Sequence, residues 1–188
     1  KLFIAGNSYT GSSETLFSIV RYGNVMCSRG SVIPLFLEQE KTGTLSITDT
    51  KMTRFMISLD QCVELVWHAF NDMVGGEIYV KKIPSMKIVD IAKTIAPDAH
   101  QKITGIRPGE KIHEQMISYE DAPHTYEYPD HYKILPSINN WDHDLKRISG
   151  GKLVATGFTY CSDNNVDWMS RENLQCWLKE NKNKILKI

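Results

Sequence analysis

No apolar run in these 188 residues approaches the roughly 20 that a membrane-crossing helix needs. Surplus positive charge is missing as well: Lys and Arg number 22, Asp and Glu number 22, and the formal net charge is zero. Nucleic acids and anionic membrane surfaces are normally held by an excess of Lys and Arg, so neither partner is expected. The four cysteines (Cys27, Cys62, Cys161 and Cys176) form no C-x-x-C pair. Free, buried thiols in a reduced, cytoplasmic setting are the expectation. The apolar core of KLFIAGN, at residues 1–7, is far shorter than a signal-peptide h-region. No G-x-S-x-G, H-E-x-x-H or P-loop occurs, and without one of these spacings the chain carries no self-contained catalytic motif.

Hydrophobic residues make up 41% and charged residues 23%, the balance of a globular domain with a real core. The first residues read as helix. ETLFSIVRYGNV, at 14–25, is β-branched and aromatic and predicts one buried strand ending near Gly23. SVIPLFLEQEKTG predicts a short helix, with Pro34 in its first turn and Gly43 as its stop. GTLSIT, TRFMIS, EIYVKKI, QKITGI and HYKILP predict strands. SLDQCVELVWHAFNDMVGG predicts a helix capped by Ser58, with Val63, Val66, Trp67 and Phe70 at helical spacing. SMKIVDIAKTIAP predicts another, capped by Ser85, with Ile88, Ile91, Ala92 and Ile95 on one face. SRENLQCWLKENKNKIL predicts a last helix capped by Ser170. Strands alternating with helices give an α/β fold. The division expected is a core over 1–118 and an extended arm with a terminal helix over 119–188.

Metal chemistry finds little purchase. His113–Glu114 lacks the second histidine that would complete a zinc helix, and Asp142 and Asp144 around His143 read as solvated loop carboxylates. His68, inside the amphipathic helix, reads as structural or exposed. Anion binding is better supported, because Arg21, Arg29, Arg54 and Arg107 all fall at predicted strand ends or turns. Ligands of open α/β sheets bind beyond the carboxyl ends of strands, and arginine's planar fork suits phosphate oxygens. In GIRPGEKIHE, at 105–114, an arginine and a glutamate flank a stiff Pro-Gly turn, so opposite charges could face one ligand.

FSIVRYGNVMCSRGSVIPLF, ITDTKMTRFMISLDQ, GGEIYVKKIPSMKIVDIAK and GIRPGEKIHEQMIS occur in that order. Together with HTYEYPDHYKILP and YCSDNNVDWMS they resemble the C-terminal half of the inverting UDP-N-acetylglucosamine 4,6-dehydratases, over residues 1 to about 170. Those enzymes are extended short-chain dehydrogenase/reductases related to polysaccharide-biosynthesis proteins. The resemblance implies the C-terminal part of a Rossmann-type fold with a small substrate-binding subdomain. KLFIAGN then matches the helix that follows a Tyr-x-x-x-Lys motif, and no tyrosine of this chain has a lysine four residues on. A half-enzyme, inactive alone, with exposed edges and apolar surface is therefore expected.

Carried over residue by residue, the resemblance implies that Arg107 grips a UDP diphosphate and Glu110 accepts from the ribose hydroxyls. Arg54 is implied as a second diphosphate clamp. Arg29 and the Ser31–Val32 backbone are implied to line the uridine pocket, and Asn24 to contact the sugar-phosphate. Tyr22 and Gly23 are implied to approach the nicotinamide end of NADP. Cys27 stands where the family usually has glycine. The whole enzyme, a lyase, would oxidise C4 of the sugar, remove the C5 proton, expel the C6 hydroxyl as water and return hydride to C6 with inversion at C5. A homo-oligomer is implied for the full-length protein. A UDP-sugar epimerase of the same superfamily and a non-catalytic UDP-sugar-binding module are the alternatives.

Overall fold

The computed structural model describes residues 2–11, 13–137 and 147–181. Trp141–Asp144 and the Lys-rich end beyond Asn181 lie outside the described residues. In chain order the elements begin α1 (Leu2–Gly6), β1 (Ile19–Arg21), β2 (Asn24–Val25), α2 (Val32–Glu40), β3 (Thr44–Ile47), β4 (Thr53–Ile57) and α3 (Leu59–Asp72). They continue as β5 (Ile78–Lys81), β6 (Ser85–Lys87), α4 (Ile88–Ile95), β7 (His100–Ile103) and β8 (Gln115–Ile117). Last come β9 (Thr125–Glu127), β10 (His131–Ile134), β11 (Lys152–Leu153), β12 (Tyr160–Cys161) and α5 (Arg171–Glu180). This is the expected α/β class, with parallel pairs β1–β5, β2–β4 and β3–β7.

Two compact units are interleaved along the chain. One takes Lys1–Tyr22, Asp60–Lys82 and Gln115–Tyr160; the other takes Gly23–Leu59, Ile83–Glu114 and Cys161–Ile188. Each draws on residues either side of 118. The first unit holds a five-stranded sheet in the order β1-β5-β10-β9-β11, in which β10 runs antiparallel to β5. Leu65 and Ala69 of α3 pack on Tyr79 and Val20 of that sheet. The stripe Val63, Val66, Trp67 and Phe70, which defined the helix in the sequence, is the face left exposed; Cys62, Leu65 and Ala69 form the buried one. Buried charges in this unit are paired, Arg147 with Glu77 at 2.6 Å and Lys133 with Asp72 at 2.5 Å. Pairing is what such burial requires.

In the second unit β4 lies between β2, parallel to it, and β6, antiparallel to it. Helices α2, α4 and α5 share a core with β3: Phe36, Leu45, Ile47, Ile91, Ala92 and Leu174 are all buried. The apolar face expected of α4 is buried at all four positions, and Ser170 caps α5 by accepting from the Asn173 N–H at 3.1 Å.

Two expectations need correction. The single strand expected over 14–25 is two short strands, because the chain leaves β1 at Tyr22 and joins a different sheet as β2. Ser85 is not a helix cap: it lies buried in β6 opposite Phe55, and α4 begins only at Ile88 after Lys87. Of the four thiols, all free, Cys27 and Cys62 are buried as expected, whereas Cys176 is exposed.

Candidate functional site

Arg54 organises a polar cluster in the second unit. In strand β4 Arg54 is the one half-buried residue, and its side chain lies on the face opposite that of the buried Phe55. Its side chain is only 12% exposed. Nη1 donates to the carbonyls of Thr53 (2.8 Å) and Ile112 (3.0 Å), and Nη2 donates to that of Lys111 (2.9 Å). The same group lies 3.9 Å from Glu110 and 3.7 Å from Glu114. Arg54 therefore fastens the 107–114 loop to β4 through backbone carbonyls, with two carboxylates completing its surroundings.

The loop has the turn that its residues demand. The Glu110 N–H donates to the Arg107 carbonyl at 3.0 Å, closing a four-residue turn with Pro108 second and Gly109 third. Gly109 has φ +81°, the positive angle that a type II turn requires at that position. The Glu110 carboxylate turns back to accept from the Arg107 N–H at 3.4 Å, and the Arg107 side chain is exposed. The turn thus presents a free-standing cation and a half-buried anion within four residues.

Glu114 was missed as a site residue by the sequence reading, which weighed it only as half of a zinc motif. Oriented to satisfy both groups, the Asn24 amide nitrogen donates to the two Glu114 carboxylate oxygens, each at 2.8 Å. Burial raises the Glu114 carboxyl above the ordinary carboxylate range, and Arg54 and the Phe55 N–H work against that rise. No spacing rule marks this residue, because its partners come from positions 24 and 54. Among the expected site residues, then, bonds and ion pairs gather Asn24, Arg54 and Glu110.

Arg29, Ser31 and Val32 lie instead at the start of α2. The Ser31 N–H donates to the Ser28 carbonyl at 3.0 Å, Gly30 has φ +75°, and Arg29 is exposed. Ser31 is the N-cap, yet its buried hydroxyl makes no hydrogen bond. Just before this turn Cys27 is buried at φ +60°. Burial pushes its thiol up to about 11, so it stays protonated near neutrality and is not a nucleophile.

Tyr22 and Gly23, expected near the dinucleotide, fall in different units, each with its own setting. A Cβ on Gly23 would lie 2.4 Å from the Phe55 Cβ, so the bare backbone there serves strand packing inside the second unit. Tyr22, in the first unit, is 41% exposed. The first unit has a cavity of about 430 Å³, lined by Leu2, Ile4, Arg21, Asp121, His124 and Ile134 among others. Arg21 is engaged there, donating to the Met116 carbonyl (2.8 Å) and to Asp121 (3.1 Å). Among the described residues no three His, Cys, Asp or Glu side chains gather as a metal site. No helix among them is long and apolar enough to cross a membrane.

Comparison with known proteins gives this geometry a family. The chain is 49% identical over 181 residues to an inverting UDP-N-acetylglucosamine 4,6-dehydratase of Campylobacter jejuni subsp. jejuni serotype O:2, covering 93% of this chain and 54% of that protein. It is 39% identical over 169 residues to a UDP-glucose 4-epimerase of Rickettsia rickettsii, covering 87% of this chain and 50% of the relative. The chain therefore spans about half the length of these relatives. Among solved structures, Pen from Bacillus thuringiensis superposes with a TM-score of 0.83 at 32% identity, over 96% of this chain and 55% of its own. Residues 1–136 match the family model described as polysaccharide biosynthesis protein, and the chain belongs to that family.

Proposed function

We propose that this chain is the nucleotide-sugar-binding half of a UDP-N-acetylglucosamine 4,6-dehydratase that inverts C5, serving surface polysaccharide or glycan biosynthesis in the cytoplasm. The observation that carries the reading is the 107–110 turn, pinned by Arg54, which sets the Arg107 cation and the Glu110 carboxylate within one four-residue frame. A nucleoside diphosphate offers a matching pair of groups: phosphate oxygens for a guanidinium and a ribose diol for an ionised carboxylate. Identity to the Campylobacter dehydratase runs ten percentage points above identity to the Rickettsia epimerase, which favours the dehydratase.

Within this reading the roles differ from a simple pair of clamps. Arg107, exposed, meets the diphosphate. Arg54, already committed to three carbonyls, holds the loop and adds positive potential behind it. Asn24 is oriented by Glu114 toward the sugar-phosphate, and the Arg29–Val32 turn borders the base. This chain supplies binding energy that positions the reacting sugar. NADP would belong to the whole enzyme and supply its hydride chemistry, with Tyr22 and Gly23 approaching its nicotinamide end, and no chemical step is assigned to residues of this chain. A homo-oligomer is expected of the complete protein.

Calorimetric titration with UDP and with inorganic pyrophosphate tests the two central roles. Arg107→Ala should weaken both ligands, by about 1.5–3 kcal/mol for a charge-assisted contact. Glu110→Gln should weaken UDP and leave pyrophosphate nearly unchanged. Unchanged affinity in Arg107→Ala removes that residue from the site, and equal losses of both ligands in Glu110→Gln remove its ribose role.

A further inference from the structure

The loop that carries Arg107 and Glu110 is tied down at its far end by a segment the nucleotide reading does not use. Ser162, fully buried, accepts from the Glu114 N–H at 2.9 Å through Oγ, and its own N–H donates to the Glu114 carbonyl at 2.8 Å. The same Oγ lies 2.7 Å from Thr53 Oγ1 and 3.3 Å from the Thr53 carbonyl. Thr53 Oγ1 in turn lies 2.8 Å from His113 Nδ1, and Thr53 immediately precedes Arg54. With one proton per hydroxyl, a consistent direction runs from the Glu114 N–H to Ser162, from the Ser162 hydroxyl to Thr53, and from the Thr53 hydroxyl to an unprotonated His113 Nδ1. His113 Nε2 then carries the hydrogen and faces Asp163 at 3.9 Å.

The downstream segment is itself fixed. The buried Asn165 amide donates to the Ile83 and Asp167 carbonyls (both 2.8 Å) and lies 3.1 Å from Ser85 Oγ, fastening residues 161–168 to the 83–85 segment. Buried hydroxyls placed so are costly to leave unpaired, so the chain of bonds holds one geometry.

We infer that Thr53 and Ser162 are positioning residues for the 107–114 loop, acting through the Glu114 backbone and His113. The inference rests on the nucleotide reading for its ligand, but the anchoring itself does not. Thr53→Val keeps the side chain's shape and removes its hydroxyl, Thr53→Ser restores the hydroxyl, and Ser162→Ala removes the other link. Two measurements on each variant of this chain decide the matter: amide hydrogen exchange, and UDP affinity by calorimetry.

The expected result is that Thr53→Val and Ser162→Ala speed exchange of the amides in 107–114 at least tenfold. Amides of α4 and of the β3–β7 pair should keep their wild-type rates, UDP affinity should fall about tenfold, and Thr53→Ser should restore both. Equal acceleration in loop and core shows general loosening and overturns the inference, as does unchanged exchange in the loop or unchanged UDP affinity. If the wild-type chain binds no UDP, the nucleotide reading fails, and the exchange measurement alone decides whether the chain of bonds anchors the loop.

Discussion

At Cys27 the backbone takes φ +60° with a side chain attached, the only non-glycine residue among those described to hold a positive φ. The likeness to a family with glycine there made this position suspect from sequence alone, and its angle supplies the physical cause. Removing a buried side chain normally makes glycine worse than alanine. Here alanine keeps the left-handed strain and glycine releases it, so the order should invert. Cys27→Gly should be the more stable of the two by about 1 kcal/mol in denaturant unfolding. His131 makes a second residue-scale prediction. It is buried, donates through Nδ1 to Asp130 at 2.8 Å, stacks on Tyr128, and leaves Nε2 without a partner. Burial lowers its pKa below the usual histidine value, with the neighbouring His68 adding to the effect and Asp130 opposing it. The unfolded chain therefore takes up this proton first as pH falls. Above the ordinary histidine pKa of about 6.5 the group contributes nothing, and below it stability is lost, at no more than about 1.4 kcal/mol per pH unit. Unfolding free energies at pH 7.5 and 5.5 should differ less in His131→Asn than in the wild type.

At the scale of elements, local chemistry was legible wherever it determined structure. Helix α4 shows all four expected apolar residues in the core, Ser170 caps α5, and the Pro-Gly turn forms with glycine at the required positive φ. Pattern failed where one run of sequence feeds two sheets. The β-branched and aromatic stretch at 14–25 gave no sign that the chain changes sheets at Gly23, where the backbone packs closely on Phe55, far along the sequence. Ser85 reads as a cap and is a strand residue because Asn165 and Asp167 hold it. Helix α3 shows a subtler limit: periodicity identified the helix, but its richest apolar stripe is the exposed one. Trp67 and Phe70 are 60% and 63% exposed and lie in edge contact. Such a stripe favours association. Trp67→Glu should shift this chain toward monomer in sedimentation velocity while changing its unfolding free energy by less than about 0.5 kcal/mol.

For the whole molecule, the two units interleave along the chain, so the 107–114 loop, β4 and the 161–168 segment meet in the second unit from three distant parts of the sequence. Of the candidate site, Arg54, Arg107 and Glu110 were legible because a turn motif and strand ends mark them. Glu114, Thr53 and Ser162 were not, because only the fold brings them together. A nucleoside diphosphate is the proposed ligand, and this cluster is its proposed seat. An amide NMR titration of the chain with UDP tests that directly. Saturable shifts are expected at Asn24, at the Arg54 side chain and through 107–114. No shift anywhere would contradict that proposal, and shifts gathered around Leu2, Arg21 and His124 would move the site to the cavity of the first unit.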